Sequence, residues 1–174
     1  GKTASEYLGA AAWKGHEAGD ANYPWVYLFS QIRDYYHENF GLNEAHLAAI
    51  AKTNYDNAQR NPYAQTRKWS LSDADFGTDD AQNPIVEGNL RKSDCARITD
   101  GSATIFLASE KYASAYAAKR NIALASIPYI KGWGHRSAPI ELQYKLDRAK
   151  QTAYPFPHLH TAIQDALRMA NISD

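Results

Sequence analysis

Cys95 is the one thiol in the chain, and Arg91, Lys92 and Arg97 stand close to it in sequence. A cysteine attacks as its thiolate, so a reactive one needs cations or a helix N-terminus to lower its pKa. Lone cysteines are nevertheless among the most buried residue types and more often serve packing. The residues alone therefore favour a structural role for Cys95. The six histidines do not assemble a metal site. His158 and His160 are two apart and project to different sides of a helix, whereas a helical metal pair wants i, i+4 spacing. His37 and His46 fall on separate predicted helices. Asp73, Asp75, Asp79 and Asp80 lack the closing glutamate and the correctly placed glycine of a calcium loop, which leaves a solvated acidic loop. Asp75-Phe76-Gly77 matches a kinase tripeptide without any of its companions. Phosphate-binding loops, dinucleotide fingerprints and nucleophile elbows are absent.

The stronger local signal is Asp100-Gly101-Ser102-Ala103, where glycine tolerates a tight turn and the small residues after it permit close backbone approach. It leads into the apolar run Thr104-Ile105-Phe106-Leu107-Ala108, which reads as a buried strand. The elements around it follow from periodicity. Residues 1–22 are Ala/Gly-rich and irregular. Trp25, Leu28, Phe29, Ile32 and Tyr35 or Tyr36 recur at helical spacing up to Phe40, with Gly41 as a left-handed cap. Asn43 is an N-cap for a second helix that Asn61-Pro62 stops, because the residue before proline resists helical geometry. Residues 66–84 read as loop with one helical turn near Leu71–Asp75, ended by Gly77. Ile85–Leu90 and Ile122–Ile130 read as strands and Glu110–Lys119 as a helix. Gln143–Thr152 reads as a charged, mobile stretch. Pro157 opens a final amphipathic helix bearing Leu159, Ile163, Ala166, Leu167 and Ala170.

A chain of 174 residues is one ordinary domain by length, with an apolar content of 44%. Nineteen basic and nineteen acidic residues cancel, which argues against a bulk nucleic-acid or membrane-surface binder. Residues 1–87 carry 7 Lys/Arg against 12 Asp/Glu and residues 88–174 the reverse, so the second half is the better host for an anion. No apolar run approaches membrane-span length. A single cysteine excludes an internal disulfide framework and points to the cytoplasm or another reducing compartment, with a peroxisome or mitochondrion as alternatives. Gly1-Lys2-Thr3 lacks an initiator Met and the chain stops directly after its last helix, so a longer polypeptide is expected.

Asn61-Pro62-Tyr63-Ala64-Gln65, together with the run from Leu90 through Arg91-Lys92-Ser93-Asp94-Cys95-Ala96-Arg97-Ile98-Thr99-Asp100-Gly101 to Ala108, resembles the middle of a thiolase-superfamily acyltransferase. The sterol-carrier-protein-type thiolases are the nearest match, across roughly residues 20–174. The resemblance implies an α/β class and a partial thiolase fold, a helical loop domain plus a strand–helix–strand unit of a layered αβα architecture. Residues 1–92 would be the loop domain, 93–120 the last strand–helix unit of the N-terminal half, and 121–174 the start of the C-terminal half, with Gly132-Trp133-Gly134 near its beginning. It implies thiolytic cleavage or Claisen condensation of acyl-CoA thioesters through a cysteine acyl-enzyme in the parent protein. The attacking cysteine would precede Gly1 and the histidine motif would follow Asp174. No catalytic residue, and no metal or cofactor beyond the coenzyme A thioester substrate, is therefore carried onto this chain, which is expected to be inactive alone. Coenzyme A contacts map to Asn39, Phe40, Cys95 and Ala96. Ala96 departs from the family's serine, and Arg97 stands at a commonly small position where it could meet a phosphate. The implied partners are acyl-CoA and either further copies of the chain or the remainder of the thiolase polypeptide. The alternatives are a non-catalytic thiolase-like binding or assembly module in a larger complex, or an unrelated helical-plus-β domain.

Overall fold

A computed structural model describes residues 2–10, 12–13, 15–98 and 101–173. The protein is helix-rich with a small antiparallel sheet. Its helices are α1 (Lys2–Ala10), α2 (Pro24–Phe40), α3 (Glu44–Arg60), α4 (Glu110–Arg120), α5 (Leu142–Ala149) and α6 (Pro157–Met169). The strands β1 (Ile85–Glu87) and β2 (Leu90–Arg91) form the one sheet among the described residues, a two-stranded hairpin. The chain divides into two compact units, one of Gly1–Thr99 with Ala138–Phe156 and one of Asp100–Ser137 with Pro157–Asp174. Residues 138–156 thus return to the first unit.

In the first unit, α2 and α3 follow their sequence signals. Pro24 occupies the first turn of α2, where its missing N–H costs nothing. Gly41 ends the helix and donates its N–H to His37 O, but at φ 74 and ψ 104 it is not the left-handed helical cap expected from sequence. The Asn43 side chain accepts from Ala45 N at 2.9 Å and caps α3. Asn43→Ala should therefore cost about 1 kcal/mol, read as a lowered urea midpoint with an unchanged slope. At the other end Asn61 turns the chain, its N–H bonded to Ala58 O and Asn57 O and its Oδ1 accepting from Tyr63 N. The helical turn expected near Leu71–Asp75 is a 3-10 turn at Asp73–Phe76 that stops at Gly77. Ser72 bonds the Asp75 carboxylate through its backbone N–H and its hydroxyl, which holds that carboxyl below the usual range.

Two elements correct the sequence reading. Residues 2–10 are helical, not irregular. Their buried face consists of Ser5 and Gly9, while Tyr7 and Leu8 are exposed, so apolar periodicity could not reveal the helix. Gly9 lets α1 pack on α2, since a Cβ there would lie 2.7 Å from Pro24 Cβ. The stretch 143–152 is not a charged loop either. Leu142, Leu146 and Ala149 recur at i, i+4 and i+7, and they join Tyr35 in the core of this unit, flanked by Leu28 and Ile32. Glu17 Oε1 accepts the Leu142 N–H at 2.6 Å, an anion placed at a helix N-terminus.

The hairpin is fastened to α2. The Asn89 N–H donates to buried Ser30 Oγ at 2.8 Å, and its side-chain amide donates to Asp34. Glu87 Oε2 accepts from Tyr23 N, the residue before α2. The strand expected at Ile85–Leu90 is thus both arms of a hairpin, broken by Gly88 at φ 56.

In the second unit, α4 and α6 form where periodicity placed them. Asn121 ends α4 in the left-handed conformation. The two expected strands are absent. Residues 103–108 adopt no regular structure, and Ile105, Phe106 and Leu107 are 80%, 91% and 76% exposed. Residues 122–130 contain only a 3-10 turn at Leu124–Ser126, and Tyr129 and Ile130 are exposed. Their β-branched and aromatic composition suits a pleated, half-buried surface, but a strand needs a neighbour for its backbone groups, and among the described residues of this unit none is paired. Ala117 is the only buried residue among the described residues of this unit. The turn expected at Asp100-Gly101 lies partly outside the described residues. Gly132 and Gly134 press their backbones onto α6 at Ala166 and Ala162, leaving no room for a side chain.

Candidate functional site

The turn that ends α3 carries the chain from Asn61 to Gln65 and Thr66, while the hairpin delivers residues 92–98 to the same place. Asn83 sets that second segment. It is 1% exposed, donates from Nδ2 to Gly77 O (2.8 Å) and Ser93 Oγ (2.9 Å), and accepts the Ser93 N–H on Oδ1 (3.0 Å). Arg91 adds bonds from Nη1 to Asn83 O and Asp80, and Asp94 accepts the Arg91 N–H. With both ends so fixed, Gln65 and Thr66 face Cys95, Ala96 and Arg97 across a cleft of about 550 Å³, floored by Tyr23, Trp25 and Val26.

The charge of this cleft is one-sided. Lys92 and Arg97 line it, and among the described residues no carboxylate does. Arg97 is positioned by an aromatic column, its guanidinium 5.3 Å from the centre of the Trp69 ring. Trp69 stacks on Tyr55 at 6.2 Å, and Tyr55 meets Phe76 at 5.8 Å. The column holds a planar cation over a ring face, and a guanidinium is the group suited to bidentate contact with a phosphate or carboxylate.

A second, apolar lobe of about 360 Å³ lies between α2 and α3. It shares Trp25, Val26, Cys95 and Ala96 with the first, so these residues form the wall between the two. Cys95 is half-buried, and burial, followed by the charge of Asp94, pushes its thiol above the usual range against the weaker pull of Arg97. That direction is the one that keeps a thiol protonated.

Cys95, Ala96 and Arg97 are therefore brought together with Gln65, from a motif some thirty residues upstream. No protein-family model, curated protein or solved structure matches the chain.

Asn39 and Phe40 lie apart from these two lobes. Neither lines either lobe: Asn39 Nδ2 donates back to Tyr35 O at 2.7 Å, and Phe40 packs its ring 5.1 Å from Tyr36. The reason is helical geometry. The cleft uses the start of α2, and at about 1.5 Å per residue its last turn is roughly 20 Å away. Asn83 and Trp69 are not singled out by sequence. The Trp69 signal was present in principle, an aromatic just beyond the Asn61–Gln65 motif; Asn83 has none, since nothing in its spacing separates it from exposed Asn57. No group of three or more His, Cys, Asp or Glu among the described residues is arranged to hold a metal, and no helix among them is long and apolar enough to cross a membrane.

Proposed function

We infer that this chain supplies part of the coenzyme A site of a thiolase-type acyltransferase, acting on acyl-CoA thioesters in the cytoplasm or another reducing compartment. The observation that carries the reading is the convergence of both thiolase-like motifs, Gln65 from one and Cys95–Ala96–Arg97 from the other, on one cationic cleft. Coenzyme A is a strongly anionic nucleotide joined to an amide-bearing arm. Arg97 and Lys92 offer its phosphates two cations, and the side chains of Tyr23, Gln65 and Thr66 supply polar groups beside them. The acyl-enzyme cysteine and proton-transferring histidines belong to segments outside this chain, and Cys95 has no covalent role. The layered αβα sheet belongs to the same proposal, with Thr104–Ala108 pairing with strands from the remainder of the polypeptide.

Titrating coenzyme A into the whole protein in a calorimeter tests the reading. Binding is expected, and Arg97→Ala should weaken it about tenfold or more, the worth of one charge-assisted contact at about 1.4 kcal/mol per decade. Affinity should also fall as salt rises. Absence of heat at millimolar ligand overturns the reading. A second reading, a non-catalytic thiolase-like module in a larger assembly, draws on the exposure of Ile105, Phe106 and Leu107, an apolar run suited to covering by a partner.

A further inference from the structure

We propose that a cleft between residues 133–136 and the last turns of α6 is a binding site for an aromatic carboxylate. It lies wholly within the second unit and stands independently of the coenzyme A reading.

Two glycines build it. Gly132 and Gly134 lie against Ala166 and Ala162 with no room for side chains, which fixes the backbone on either side of Trp133. Trp133, Arg136, Arg168 and Met169 then line a cleft of about 540 Å³ around Asp165. Two guanidinia reach that carboxylate from different segments, Arg136 at Oδ2 and Arg168 at Oδ1, the latter at 3.1 Å. A further bond of 2.8 Å, from Arg136 Nη1 to His135 O, steadies the first of them. The helix dipole accounts for one basic residue in the last turn of α6. It does not account for a second from another segment, because like charges brought to one carboxylate repel each other. Asp165 is the only carboxylate among the described residues that line the cleft, so two guanidinium charges leave one uncompensated. That balance selects a monoanion, and the fork of a guanidinium matches a planar carboxylate. The other walls select what carries it. Trp133 is 65% exposed and Met169 47%, although both line this concave surface. An indole and a thioether both pack favourably on a flat ring. At roughly 30 Å³ per water-sized group, the cleft of about 540 Å³ has room for a fused two-ring acid.

Calorimetric titration of the whole protein compares 2-naphthoate with its neutral amide, with the saturated decalin-2-carboxylate, and with adenosine monophosphate, a dianion bearing a flat base. The naphthoate is expected to bind tightest, the amide about tenfold more weakly and the saturated acid several-fold more weakly. Arg168→Gln, on a side chain 76% exposed, should weaken the naphthoate about tenfold and leave the amide unchanged. Trp133→Leu should erase the preference for the flat ring over the saturated one and keep the preference for acid over amide. Arg97→Ala, in the first unit, should change neither. The proposal is overturned if millimolar naphthoate gives no heat, if the amide binds as tightly as the acid, or if adenosine monophosphate binds more tightly than naphthoate. It also falls if Arg97→Ala, and not Arg168→Gln, removes the binding. None of these outcomes touches the coenzyme A reading, which fails only if coenzyme A itself does not bind.

Discussion

Replacing Asn83 with leucine is expected to destabilise the first unit by about 3 kcal/mol, the cost of leaving partly buried groups unpaired. The side chain is nearly isosteric but removes every polar partner. Gly77 O loses its donor, the Ser93 N–H loses its acceptor, and Ser93 Oγ loses the Asn83 amide donor. In a protein of this size that corresponds to a fall in midpoint temperature on the order of 10 °C. Urea unfolding followed by tryptophan fluorescence measures it, and amide exchange locates it, because the Ser93 amide should lose protection first. The functional cost should exceed the thermal one. Asn83 holds the segment that presents Cys95, Ala96 and Arg97, so coenzyme A affinity should fall even well below the melting temperature. An unfolding free energy within about 1 kcal/mol of the original would remove Asn83 from its role as anchor.

What the sequence disclosed was mostly local. Asn43, Gly41 and Asn61-Pro62 act on the backbone beside them, so α2 and α3 were readable from a few residues each. The two motifs were visible for the same reason, and the structure brings Gln65 and Cys95–Arg97 together. What stayed hidden depends on neighbours distant in the chain. Helix α1 buries Ser5 and Gly9 rather than its apolar residues, and α5 has only three core positions among many charges, one of them bonded to Glu17 at its start. Thr104–Ala108 shows the converse. Its composition describes a strand, yet composition does not supply a pairing partner, and Ile105, Phe106 and Leu107 stand exposed. Asn39 and Phe40 were assigned from resemblance alone, and the length of α2 carries them away from the cleft. Asn83 is legible only in three dimensions, because its partners at Gly77 and Ser93 define it.

Gly88→Ala should be nearly as costly as the loss of Asn83, by a different route. Gly88 sits at φ 56, where an L side chain costs about 1–2 kcal/mol. Its added Cβ would also lie 2.7 Å from Ser30 Cβ and meet Ser30 Oγ, on a side chain that is fully buried in α2. Either the hairpin lifts or Ser30 turns away and releases the Asn89 N–H, so a further loss of about 1–2 kcal/mol follows. Gly41→Ala separates the two contributions. Gly41 also has positive φ, at 74 with ψ 104, but nothing lies within 4 Å of a Cβ there, so only a backbone penalty, of about 1–3 kcal/mol, should appear. A double substitution gives the sharper test: with Ser30→Gly the steric part of the Gly88→Ala cost should vanish, making the pair less destabilising than the sum of the singles. Strict additivity would mean that the hairpin does not bear on Ser30. Because that hairpin leads into residues 92–97, Gly88→Ala should also weaken coenzyme A binding, while Gly41→Ala, at the far end of α2, should leave it unchanged.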